Sequence, residues 1–133
     1  MSPQPITAAS RELLGKLRGM LLEQHKLLLD RERSAYEKLH QQISSPGALL
    51  NLVINDPHFQ WLKQISTLVV EIDEALSRNS KATQQTADLL TAQAREMMRP
   101  REEGSDFQVR YYHALQESPD IVILQCRIEQ LLA

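Results

Sequence analysis

The sequence predicts an all-α fold, a helical bundle, on three observations. Ser45-Pro46, Asp56-Pro57 and Ser118-Pro119 each set a capping oxygen before a proline. The side chain accepts a bond from an orphaned backbone N–H of a first helical turn, and the proline occupies a position where its missing N–H costs nothing. A long proline-free stretch near the N-terminus carries apolar residues at helical spacing. Strand signals are nearly absent. The one β-like patch, Ile121 to Leu124, follows a strong helix cap and has no hairpin turn beside it.

Taken in order, residues 1–9 are proline-rich and read as a frayed tail, with residues 10–133 as a single helical-bundle domain. Ser10 reads as the cap of a first helix running to about Ile43, with Leu14, Leu17, Leu21, Leu28, Ala35 and Leu39 on its stripe. That length predicts a helix of roughly 50 Å, long enough to need a bundle or a coiled-coil-like partner. Ser44 to Gly47 ends it. The short helix that follows carries Leu49, Leu50, Leu52, Val53 and Ile54, is apolar nearly all round, and is expected to be buried on more than one side.

The Asp56-Pro57 helix continues with Trp61, Leu62, Ile65, Leu68, Val69, Ile72 and Leu76 in one wide stripe. Asn79 or Ser80 is the expected cap of a helix from Lys81 to Met98, whose stripe uses Thr83, Ala87, Leu90, Ala94 and Met97. Arg99 to Gly104 breaks it. Ser105 or Asp106 caps a short helix with Phe107, Tyr111 and Leu115 inward, and Ser118-Pro119 begins the last, with Ile121, Leu124, Ile128 and Leu131 on one face. The long helix and the two further main helices form the frame, and the short C-terminal helices supply the fourth side.

Composition limits function. The 133 residues are 42% hydrophobic and 24% charged, with a net charge of -2 and basic and acidic residues interleaved. No basic face is available to steer nucleic acid or acidic lipid. No apolar run approaches the ~20 residues of a bilayer span. The first residues lack the pattern of a secretory signal, and a single cysteine, Cys126, fits a reducing compartment. These readings predict a cytoplasmic protein with neither nucleic-acid nor membrane partners.

No catalytic, cofactor or metal motif emerges. Glu37-Lys38-Leu39-His40 has the Glu-x-x-His spacing of di-iron bundles, but His58 and His113 lack a glutamate three residues earlier, so the second copy that such a site needs is missing. Cys126 reads as a half-buried, inert helical thiol, and the glycines are too scattered to cradle phosphate. The one polar constellation worth weighing is His25, Glu32, Tyr36 and His40. His25, Glu32 and Tyr36 fall within about 40° of one another on the long helix, and a glutamate on an apolar stripe needs a partner. The cluster reads first as a satisfied structural group and second as a polar pocket, with Glu32 as base or ligand and Tyr36 as donor.

Several words of the sequence go together. They are Tyr36-Glu37-x-x-His40, Ser45-Pro46-Gly47, Asp56-Pro57-His58-Phe59-Gln60-Trp61-Leu62, Ile72-Asp73-Glu74, and Tyr112-x-x-Leu115-Gln116-x-Ser118-Pro119-Asp120. The combination resembles a group of small, uncharacterised bacterial all-helical proteins, over most of the chain beyond the tail. The resemblance implies a bacterial source and a compact helical fold, and brings no activity, cofactor or binding residue with it.

Two functional classes follow. The first is a non-catalytic interaction or regulatory module, and the second a small-molecule-binding or enzymatic bundle using the His25, Glu32, Tyr36 and His40 cluster. A homodimer is expected from the leucines spread round the long helix, among them Leu13, Leu22, Leu27 and Leu29. A cavity lined by Glu32 and Tyr36 would favour the second class.

Overall fold

A computed structural model describes residues 3–133. Among them the chain forms helices α1 (Ala8–Leu39), α2 (Pro46–Asn55), α3 (Pro57–Gln60), α4 (Lys63–Leu76), α5 (Gln84–Met97), α6 (Asp106–Glu117) and α7 (Pro119–Leu132). The fold is all-α. The long α1 is its spine, flanked by α4, α5 and α7, with α6 folded onto α7. Leu14, Leu17, Leu21 and Leu28 of α1 are fully buried and share one core with Ile65, Leu68 and Ile72 of α4 and with Ile121, Leu124 and Ile128 of α7. Burying a side chain of this size is worth about 1.5–3 kcal/mol. Ala87 and Ala94 give α5 a thin face in the same core, and Phe107 and Tyr111 close it from α6.

The three proline-marked starts form as expected. Ser45 accepts from the Ala48 N–H at 3.1 Å, Asp56 from the His58 N–H at 2.8 Å, and Ser118 from the Ile121 N–H at 3.4 Å. Ser105 caps α6 in a reciprocal box with Gln108.

Other boundaries differ, each for a local reason. Thr7, not Ser10, caps α1, its hydroxyl accepting from the Ser10 N–H at 3.1 Å. The segment read as a frayed tail is held. Pro5 bridges to Thr83, the Gln84 N–H donates to the Gln4 carbonyl at 2.9 Å, and Ile6 is buried. That reading also covers residues 1 and 2, which lie outside the described residues. Thr83 consequently sits in extended backbone and caps α5 with Thr86, three or four residues later than expected.

At its other end α1 stops at Leu39 rather than near Ile43. The Glu37 carboxylate accepts from the Ile43 N–H at 2.9 Å, which folds the chain back and buries Ile43. The helix expected from Pro57 onward is interrupted at Trp61-Leu62. Phe59, Trp61 and Leu62 are all buried; a regular helix would put Phe59 and Leu62 on one face and Trp61 away from it, and the turn between α3 and α4 lets Trp61 face inward as well.

The largest departure is α2. It was expected to be buried on several sides, yet none of its residues is buried. It rests on α3, its neighbour in the chain, and contributes nothing to the main core. Conversely, Leu13, Leu27 and Leu29 of α1, expected to be left over for a partner, are partly buried against that core, whereas Leu22 is 42% exposed. Cys126, read as half-buried, is exposed.

Candidate functional site

The last turns of α1 gather most of the polar residues singled out by the sequence. Glu32 lies on the inner stripe and is buried. Its carboxylate oxygens are both engaged: Oε1 pairs with the Arg31 guanidinium at 2.5 Å, and Oε2 with His58 Nε2 at 2.8 Å. The same Nε2 lies 3.0 Å from the Glu32 carbonyl. Facing two acceptors, that nitrogen carries the ring proton. Arg31 reaches further, to Glu117 at the end of α6, at 2.6 Å. A buried carboxylate without such partners would be costly.

Tyr36 sits one turn on. Its ring lies 4.4 Å from that of His40, 5.7 Å from His58 and 5.6 Å from Phe59, measured between centroids. Phe59 is fully buried and Ile43 nearly so, both outside the main core. Phe59 packs its ring against Tyr36 and His58 where α3 meets the end of α1. Glu37 serves that corner too, bonding Ile43 and pairing with Arg33 at 3.5 Å, so the Glu37-x-x-His40 pair is taken up locally. Among the described residues no group of His, Cys, Asp and Glu is placed to hold a metal ion.

His25 is not part of this cluster. It lies two turns earlier and meets Ser66 of α4, with Nε2 3.2 Å from Oγ. Burial lowers its pKa below the ordinary histidine value, because the cation loses water. The structure therefore brings Glu32, Tyr36 and His40 to one end of α1 and leaves His25 elsewhere.

Residues that sequence reasoning missed complete the polar interior. Gln24 is fully buried; its amide donates to the Tyr111 hydroxyl at 2.6 Å and to the Ile121 carbonyl at 3.0 Å, while its Oε1 has no partner. Tyr111 donates in turn to Gln125, whose amide reaches the Met98 carbonyl at 2.8 Å. Burial pushes the Tyr111 phenol well above its ordinary pKa. Gln24 left a readable signal, since it occupies the stripe position between Leu21 and Leu28. His58 left none, because nothing local marks it as the partner of a residue 26 positions earlier.

The groove beside Tyr36 does not reach Glu32. Tyr36, Leu39, His40, Ile43, Ala48 and Leu52 line part of this open groove, of about 580 Å³, between the end of α1 and α2. Another hollow, of about 400 Å³, lies between α5 and α7, where the Arg95 guanidinium is occupied by the Leu132 carbonyl at 2.8 and 3.0 Å. Beyond the groove, α2 turns Leu50 (60% exposed) and Ile54 (61% exposed) to the outside, with Leu39 of α1 at 75%. No protein-family model, curated protein or solved structure matches the chain.

Proposed function

We propose that this chain is a bacterial, cytoplasmic, non-catalytic interaction module whose contact element is α2. One observation carries the reading: a helix of Leu, Val and Ile residues stands on the bundle with no buried side chain. Apolar surface left in water is costly, and a contiguous patch of it marks a docking surface. The buried polar groups support the same reading. Both carboxylate oxygens of Glu32 are engaged, one by the Arg31 guanidinium and one by His58 Nε2, so neither is presented to a ligand. The net charge of -2 offers no footprint for nucleic acid. The alternative, a ligand-binding or enzymatic bundle, draws on Tyr36 and His40 at the groove, but Glu32 and His25 do not line it.

The test is site-specific photo-crosslinking in cells that express the protein. A photoreactive amino acid at Leu50 should give discrete adducts, to another protein or to a second copy. The same group at Lys16, on the exposed side of α1, should give none. Equal patterns from the two positions would remove α2 as the contact element.

A further inference from the structure

We infer that α2 is a built-in opening segment, which unwinds and recloses while the bundle stays folded, between fixed points at Ile43 and at His58 with Phe59. The inference goes beyond the docking reading and does not depend on it, since a helix fixed in place could dock as well.

The first observation is how little holds α2. Ala48, Leu49, Leu52 and Val53 are half-buried, and its other residues are exposed. Its bonds stay within itself and its chain neighbours. Ser45 accepts from the Ala48 N–H, the Asn55 amide donates to Asn51 at 2.7 Å, and Gln60 donates to the Asn55 carbonyl at 3.4 Å. Among the described residues no hydrogen bond or ion pair joins α2 to α1, α4, α5, α6 or α7. Opening a segment costs the burial and bonds it gives up, and here both are small.

The second observation is the punctuation. Ser45-Pro46 and Asp56-Pro57 bracket the helix, with Ser45 and Asp56 both in extended backbone. A residue before proline is held out of the helical conformation. Neither α1 nor α3 therefore runs on into α2 to lend it a formed turn. Alone, a ten-residue helix falls short of the ~12–15 residues at which isolated helices become marginal in water. Gly47 weakens it further. Parting from α3 and unwinding are thus one event, and the two breaks stop it from spreading.

The third observation is that both flanks are pinned. Ile43 is buried and its N–H is held by the Glu37 carboxylate at 2.9 Å. On the far side His58 Nε2 lies 2.8 Å from the Glu32 carboxylate, and Phe59 is fully buried. Opening moves residues 44–57 and leaves these anchors in place. It also dismantles the groove beside Tyr36 and His40, because Ala48, Asn51 and Leu52 are its second wall. The groove and the helical face of Leu50 and Ile54 are therefore present together or absent together. An occupant of either shifts α2 toward the closed form.

Amide hydrogen exchange of the full chain, followed by NMR, tests this. After correction for intrinsic rates, the amides of Leu49 to Asn55 should exchange at least about 100-fold faster than those of Leu21 to Leu28. Ile6→Ala should speed Leu21 to Leu28 by about tenfold or more and leave the α2 rates unchanged. Gly19→Ala, which adds stability to α1, should slow Leu21 to Leu28 and again leave α2 unchanged. A methyl group at Gly47 would meet only Ser45 Oγ, at 4.0 Å, so Gly47→Ala should slow the α2 amides about two- to fivefold. Protection in α2 equal to that of Leu21 to Leu28 overturns the inference. So does an α2 rate that follows Ile6→Ala or Gly19→Ala, because α2 would then open only with the bundle. No slowing by Gly47→Ala overturns the unwinding step. Each of these results leaves the crosslinking at Leu50 to decide separately whether α2 docks.

Discussion

His58 grips Glu32 twice through one atom: its Nε2 lies 2.8 Å from the carboxylate and 3.0 Å from the carbonyl of the same residue. The contact ties α3 to α1 and gives the buried carboxylate a second hydrogen-bond partner beside Arg31. His58→Ala should cost about 1–3 kcal/mol in urea unfolding, since Glu32 keeps its burial and loses a donor. The double change His58→Leu/Glu32→Leu should recover part of that loss, because removing both partners removes the desolvation penalty as well. Equal destabilisation by the double variant would show that packing, not the polar pair, holds the corner.

Tyr111→Phe deletes the hydroxyl between Gln24 and Gln125 and should cost about 1–2 kcal/mol at neutral pH. It should also change the response to alkali. The folded phenol titrates above its ordinary value of 10.0, so between the two values the folded state holds a proton that the unfolded chain has released. Stability therefore falls as pH rises above 10.0, and the phenylalanine variant should lack this share of the fall. Parallel alkaline curves for the two proteins would refute the assignment.

The acid side has the opposite sign. His25 titrates below the ordinary 6.5 in the folded state, so at lower pH the unfolded chain binds the proton first. Its contribution is intact above pH 6.5 and fades as the pH drops toward the folded value. His25→Gln should flatten the stability profile in that window, read by thermal melts at a series of pH values. An unchanged slope would place the sensitivity elsewhere.

Gly15 and Gly19 are exposed on α1, and a methyl group added at either would meet nothing within 4 Å. Glycine within a helix costs about 0.5–1 kcal/mol relative to alanine. Gly15→Ala and Gly19→Ala should each raise stability by about that amount, additively. A loss on either would reveal a close neighbour on that face.

Ile6 anchors the segment that reads as a loose tail. Ile6→Ala should cost about 2 kcal/mol or more, as for other buried isoleucines. By contrast Leu50→Ala should stay within about 0.5 kcal/mol of the parent. A small loss at Ile6 would mean that the Pro5–Thr83 bridge holds this segment without it.

The helices were legible because capping and periodicity are local chemistry. Ser45, Asp56, Ser105 and Ser118 announce their turns within three residues. What sequence reasoning missed is contact over distance. Thr83 caps α5 in a setting created by Pro5, and Glu37 ends α1 early by bonding Ile43. α2 shows the limit most clearly. Its composition says buried, but whether a neighbour covers it depends on where α3 turns, and Phe59, Trp61 and Leu62 set that turn. The polar cluster was legible in half, as Glu32 and Tyr36 but not as His58.

The bond from Gln24 to Ile121 spans 97 positions of sequence, and the leucine row of α1 shares its core with α7. During synthesis that row therefore leaves the ribosome long before its last neighbour exists. Local helices can form as they emerge, but Leu14 to Leu28 gain their full cover only once α7 is made, so the spine of the fold is the last part to be sealed.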